Sequence, residues 1–260
     1  MLFNEQSFLF YFLPAVVVGV LFLRLRSSYL TSWWIILASF FFYGFHGWQH
    51  LPLLILSILV NYGLGLGIAK KAVNRTGHYL LILGIVCNLL ILAIYKYADF
   101  ITSSFHLEYS LNLTLPLAIS FFTFQQIAYL VDLRKGKVTT PSFTHYLTFI
   151  SFFPQLIAGP IVRCQEIIPQ LQKGLLGKLS SKNFWSGICL FSIGLFKKSC
   201  LADGIHPLVD AIFSTSADGI TLSIAEAWVG VLSFGLQIYF DFSAYSEMAL
   251  GLGMILGLRL

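Results

Sequence analysis

The sequence predicts an all-α polytopic membrane protein: a ring-like bundle of about seven to nine transmembrane helices with one re-entrant hairpin, forming a single membrane domain over residues 1–260. Three observations carry that prediction. Of the 260 residues, 57% are hydrophobic and only 10% charged, whereas a soluble domain carries about a quarter charged residues. Apolar segments near the ~20 residues that a helix needs to cross the hydrocarbon core follow one another along the chain. The Lys and Arg residues between them fall on alternate loops, as the positive-inside rule requires. A transmembrane β-barrel is excluded, because alternating segments of roughly ten residues are absent.

The segments follow in order. Met1 to Gln6 carries Glu5 and no Lys or Arg, so it lacks the basic start of a secretory signal. Ser7–Leu23 is the first span, with Arg24 and Arg26 after it, and Thr31–Phe45 is the second. The loop His46 to His50 has no Lys or Arg. Leu51–Ala69 is the third span, followed by Lys70, Lys71 and Arg75. Tyr79–Tyr97 is the fourth, and its loop, Ala98 to Asn112, is again free of basic residues. Leu113–Val131 is the fifth, followed by Arg134, Lys135 and Lys137. This alternation places the N-terminus outside. Phe184–Phe213, Leu222–Phe240 and Tyr245–Leu258 complete the series. Lys197 and Lys198 lie inside the first of these three, which suggests that it is broken or partly interfacial. Lys96 and Arg259 also fall outside the alternation.

One segment does not fit a simple crossing. Residues 146–162 leave a basic loop at Arg134–Lys137 and end in another, with Arg163, Lys173, Lys178 and Lys182. Both ends are expected on the cytoplasmic side, so the segment reads as a re-entrant hairpin. Pro154 and the pair Gly159 and Pro160 supply its break. Irregular backbone at membrane depth survives only inside protein or against a wet cavity, so the hairpin is expected to line one. An ordinary kinked crossing helix is the alternative.

Polar side chains within apolar runs mark two further places. Gln125 and Gln126 lie in the fifth span with Asp132 at its end, and Gln237, Asp241, Ser243 and Glu247 lie close together. They read as the lining of a substrate path or as hydrogen-bonding glue between helices. Asn61 and Asn88 read as glue. Gly63 with Gly67, and Gly253 with Gly257, have the spacing of close-packed helix faces. "YGLGLG" lacks the strand and spacing of a nucleotide fingerprint.

The net charge of +5 does not imply nucleic acid, because the basic residues sit in the loops between spans. Cys87, Cys164, Cys189 and Cys200 form no CxxC pair, and no histidine sits at metal-ligand spacing from them. Cys164 beside Arg163 is a weak candidate for a reactive thiol. His46 and His50 are four apart, but without an HExxH pattern they read as an interfacial loop with Trp48. No metal site is expected.

Four blocks in order carry a family resemblance: "PLAISFFTFQQIAYLVD" (Pro116–Asp132), "FFPQLIAGPIVRCQEIIPQL" (Phe152–Leu171), "GLFKKSCLAD" (Gly194–Asp203) and "QIYFDFSAYSEMALGLGMILG" (Gln237–Gly257). Together they resemble the membrane-bound O-acyltransferase family, closest to the membrane subunit of bacterial alginate O-acetylation and related to the D-alanyl transfer protein of teichoic acid. The resemblance implies a helical ring around a chamber in the bacterial inner membrane. An acyl group, acetyl in this subgroup, would pass from a cytoplasmic thioester cosubstrate to a hydroxyl on an exported polysaccharide or to a periplasmic acetyl-transfer partner. It implies no bound cofactor. Gln125, Pro154, Gln155, Gly159, Pro160, Arg163, Gln237, Asp241 and Ser243 would line the tunnel or support it. The family's catalytic histidine follows the last block, beyond Leu260, so none is assigned, and this piece alone is expected to be inactive and its fold an incomplete version of the family's. A transporter or channel, or a non-catalytic scaffold of a polysaccharide-modifying complex, is the alternative.

Overall fold

The structure, a computed structural model, describes residues 1–45, 47–71, 74–104, 113–157, 159–160, 162–178 and 180–260. His46, His106, Ile161 and most of the second expected outer loop lie outside these residues. Helix makes up 79% of the chain, with no strand among the described residues. The all-helical expectation is met. By length and composition two helices, Trp48–Lys70 and Arg75–Phe100, are able to cross a membrane, and the apolar run Phe8–Arg24 is shorter.

The local signals account for the element boundaries. A π-type turn, Phe8–Phe12, runs without a break into α1 (Leu13–Arg24), so Pro14 lies within one helical run, next to the widened turn. The Ser27 side chain accepts the Tyr29 N–H at 3.2 Å and starts α2 (Ser28–Gly44). Pro52 sits in the first turn of α3 (Leu51–Lys70). α4 (Arg75–Ser104) and α5 (Ile119–Arg134) pack with α3 as one three-helix group. α6 (Phe143–Ser151), α7 (Phe153–Leu156) and α8 (Cys164–Gln172) follow, then α9 (Ser181–Phe196).

Two expectations change at the C-terminal end. A second π-type turn, Lys197–Ala202, joins α9 directly to α10 (Asp203–Ala217), so Phe184–Phe213 lies within one continuous helical run. α11 is a single helix, Ile224–Ile255, where the sequence reading had two segments. It opens with a capping box: the Ser223 hydroxyl accepts the Glu226 N–H, and the Glu226 carboxylate accepts the Ser223 N–H. At 1.5 Å per residue its 32 residues extend roughly 48 Å. The polar run Asp241–Glu247 does not interrupt it, because its charges find partners on the neighbouring helix.

Contacts sort the loops into two ends. Arg24 Nη1 donates to the Gly177 carbonyl at 2.7 Å, and the Gly177 N–H donates to Leu256 O at 2.8 Å. The Tyr62 hydroxyl donates to Pro141 O at 3.2 Å, joining the last turns of α3 to the loop before α6. At the other end Gln49 donates to the Thr114 hydroxyl at 3.2 Å. Arg259 therefore stands at the end shared with Arg24 and Lys178, because undivided α11 returns there. Around Phe3, Phe8, Phe12, Phe42 and Phe153 an aromatic core closes the centre, with ring centroids 5.0–6.3 Å apart.

The expected glycine faces are met in part: a Cβ on Gly67 would lie 3.0 Å from Leu80 Cδ1 on α4, but the other close approaches fall elsewhere. A Cβ on Gly63 would meet open space, whereas one on Gly65 would lie 2.6 Å from the Tyr129 hydroxyl. α9 and α11 meet backbone to backbone at Gly187 and Gly251, with Gly194 against Ala244. Gly253 instead faces Leu260, and Gly257, at φ +89°, forms the turn that ends α11.

Candidate functional site

The segment singled out by its helix breakers is the most enclosed part of the described chain. Every residue from Tyr146 to Leu156 is buried. Ser142 caps α6, its hydroxyl accepting the His145 N–H at 3.3 Å. The helix stops at Phe152, where ψ is 106°, and α7 restarts at once. The break thus falls two residues before Pro154, which occupies the first turn of α7 and forfeits no bond there. A buried amide exposed by the break needs a partner. Ser39, fully buried on α2, provides it: its hydroxyl accepts the Phe153 N–H at 3.1 Å.

The Gln155 side chain closes the loop on itself, donating Nε2–H to the Phe149 carbonyl across the break. Its Oε1 is buried without a protein partner. Gly159 folds tightly back onto α7, since a Cβ there would lie 2.5 Å from Gln155 Cα and 3.0 Å from Pro154 O. Pro160 is half-buried, and Arg163 is exposed at the start of α8. α8 packs beside α6 and α5. Cys164 opens α8 fully buried. Burial, with the Asp132 carboxylate adding to it, pushes its thiol up to about 12, which removes it as a reactive nucleophile near neutral pH.

Gln237, Asp241 and Ser243 lie elsewhere, on the face of α11 opposite the π-type turn. Lys198 bridges Asp241 at 2.8 Å and Asp203 at 2.9 Å. Lys197 pairs with Glu247 and donates to the Ser243 hydroxyl at 3.3 Å. Gln237 Nε2 lies 3.0 Å from His206 Nδ1, and the other ring nitrogen of His206 is 3.2 Å from Asp210. Successive residues of an α-helix point about 100° apart. The wider π-type turn lets the adjacent Lys197 and Lys198 both address α11. These pairs answer the cost of charges inside an apolar run, and Lys197 and Lys198, two of the residues left over from the charge alternation, supply them.

Gln125 and Gln126 separate. Gln126 joins an amide cluster tying three helices together: Ser57 donates to Gln126 Oε1 at 2.7 Å, Asn61 donates to the same oxygen, and Asn88 donates to Asn61 Oδ1 at 2.7 Å. Asn61 and Asn88 thus act as the interhelical glue expected of them. Gln125 is buried, its Oε1 without a protein partner.

The sequence-predicted residues therefore occupy three places: the broken segment, α5 and the α11 face. Among the described residues no hydrogen bond joins these places. Sequence reasoning missed Ser39 and Ser57. Each is a lone hydroxyl in an apolar helix, a signal too common to single out without knowing what lies across from it.

Residues 133–260 match the model of the MBOAT, membrane-bound O-acyltransferase family. A peptidoglycan O-acetyltransferase of Helicobacter pylori is 38% identical, covering 100% of this chain and 55% of that protein. A probable alginate O-acetylase of Azotobacter vinelandii is 34% identical, covering 100% of this chain and 52% of its own length. A teichoic acid D-alanyltransferase of Bacillus subtilis is 26% identical over 98% of this chain and 65% of that protein. The chain spans about half the length of the first two relatives.

Proposed function

This chain belongs to the membrane-bound O-acyltransferase family, and from that premise we propose that it forms part of the membrane chamber of a polysaccharide- or peptidoglycan-modifying O-acyltransferase. An acyl group, acetyl in the relatives named for acetylation, passes from a cytoplasmic thioester to a hydroxyl on the exported polymer or to a periplasmic partner. The protein is multi-pass in the inner membrane, its N-terminus outside and its basic loops inside. The segment 146–162 enters and leaves from the cytoplasmic face. The fully buried break at Phe152, inside the family-matched region, carries this reading. Irregular backbone at membrane depth is tolerated where it is buried in protein and satisfied from within, as this break is by Ser39 and Gln155, and such backbone suits a chamber wall.

In this reading the residues of this chain position the reactants and exclude water; none is assigned the proton transfer. Holding a thioester and a hydroxyl in line is worth several orders of magnitude in effective concentration. A low-dielectric wall sharpens any dipole aimed at the developing oxyanion. The carbonyl oxygens of Gln155 and Gln125 are buried acceptors without a protein partner. The test uses inverted membrane vesicles holding the chain and a thioester whose acyl group is photoreactive. Crosslinks are expected within residues 143–172. Label no greater than in vesicles lacking the chain would refute the proposal.

A further inference from the structure

Away from Arg24, the first helical run and α2 leave between them an open groove of about 500 Å³. Phe12, Ala15 and Val16 line it from the first run, and Trp34, Ala38 and Phe41 from α2. Ser7 also reaches it, but its hydroxyl donates to Glu5 Oε2 at 3.1 Å. The Trp34 indole N–H donates to Val16 O at 3.1 Å. Both donors are spent, so what these walls offer an occupant is carbon. Tyr11 and Leu37 stand exposed at the rim.

The Trp34 indole crosses from α2 to α1. A Cβ on Gly19 would lie 2.3 Å from its Cε2, so glycine there lets the ring close the groove on the side of Arg24. Ala15 and Ala38, with one side-chain carbon each, leave the depth beyond it. The back wall is Phe12, which is buried. Its ring stacks on Phe41 with centroids 6.1 Å apart and meets Phe153 edge-on at 5.3 Å. Phe153 opens α7, so one ring separates the groove from the broken segment.

We propose that this groove holds one acyl chain of a membrane phospholipid. The protein belongs to a membrane-bound family, and the exposed apolar rim faces what surrounds it there, which is lipid. An apolar cavity without free polar partners is a poor site for water and a good one for an apolar guest. Its volume falls within the ~300–1,000 Å³ of small-molecule sites. A partner helix does not fit, because a helix with its side chains is ~10–12 Å across while packed neighbours have axes ~8–10 Å apart. A flexible alkyl chain follows such a slot. Held there, it backs Phe12 against Phe153, the residue whose N–H Ser39 accepts.

The test uses the full chain in phosphatidylcholine nanodiscs carrying a trace of phosphatidylcholine with a diazirine at the end of one acyl chain, and mass spectrometry maps the labelled residues. Leu37 and Phe41 are expected to be labelled about tenfold more than Leu59 and Leu232, which are also exposed but lie outside the groove; two further buried methylenes supply that factor. Ala15→Trp fills the groove from an exposed position and should bring Leu37 and Phe41 down to the level of Leu59, while Ala15→Ser leaves them labelled. Even labelling of all four residues in the wild type overturns the proposal, whether or not Ala15→Trp folds. Labelling of Leu37 and Phe41 that survives in a folded Ala15→Trp chain places the lipid outside the groove and overturns it as well. Added polyprenol that displaces the label, where the same amount of unlabelled phosphatidylcholine does not, assigns the groove to an isoprenoid and overturns the phospholipid.

Discussion

Ser39→Ala isolates the contact on which the broken segment depends. Ser39 is fully buried, and its hydroxyl accepts the Phe153 N–H at 3.1 Å, the first amide left unpaired when α6 stops at Phe152. Alanine removes the acceptor and little volume, so the cost is that of a buried amide without a partner, about 1–3 kcal/mol. That corresponds to roughly 5- to 150-fold in the folding equilibrium. Ser151→Ala is the internal control. Ser151 is equally buried, but its hydroxyl donates to Leu147 O within its own helix, so removal strands no amide. The measurement is unfolding of the purified chain in mixed micelles of dodecylmaltoside and increasing SDS. Ser39→Ala should lower the midpoint clearly and Ser151→Ala only slightly. Equal midpoints for the two variants would show that the break is not held from α2.

Other outcomes follow from the same structure. Gly65→Ala sets a Cβ 2.6 Å from the Tyr129 hydroxyl and should destabilise by about 1–3 kcal/mol in the same unfolding assay. Gly63→Ala meets open space and should stabilise by up to about 1 kcal/mol through helix propensity; the reverse order would refute the packing of α3 on α5. The buried Cys164 thiol, raised to about 12, keeps its proton in the folded chain, while an unfolded thiol loses it near ~8.5. The stability it contributes is therefore full below pH ~8.5 and falls as pH rises toward 12. Cys164→Ala should flatten the decline of the unfolding midpoint between pH 8 and 10 (an order-of-magnitude window set by those two values), and equal slopes count against the burial. Thr139→Cys and Gln172→Cys, both at exposed positions, should react with an impermeant maleimide only from the cytoplasmic face; labelling of either from outside removes the re-entrant path.

Composition and the succession of apolar runs were enough to settle an all-helical chain, because a backbone without water must satisfy itself within each segment. The four ordered blocks were enough to place it in its family. Pro154 and Gly159 marked the broken segment, since their backbone restrictions are local and travel with the residue. The sequence could not say that α11 runs unbroken through Asp241 and Glu247. That depended on Lys197 and Lys198 arriving from α9 to neutralise them, and a charge is expensive or tolerable only by what stands opposite. Nor could it distinguish Gly65 from Gly63, because the free side of a helix is set by its neighbours. The Ser39 contact with Phe153 and the Arg24 contact with Gly177 belong to the same class: each hydrogen bond joins groups more than a hundred residues apart, and only the packed chain brings them within reach.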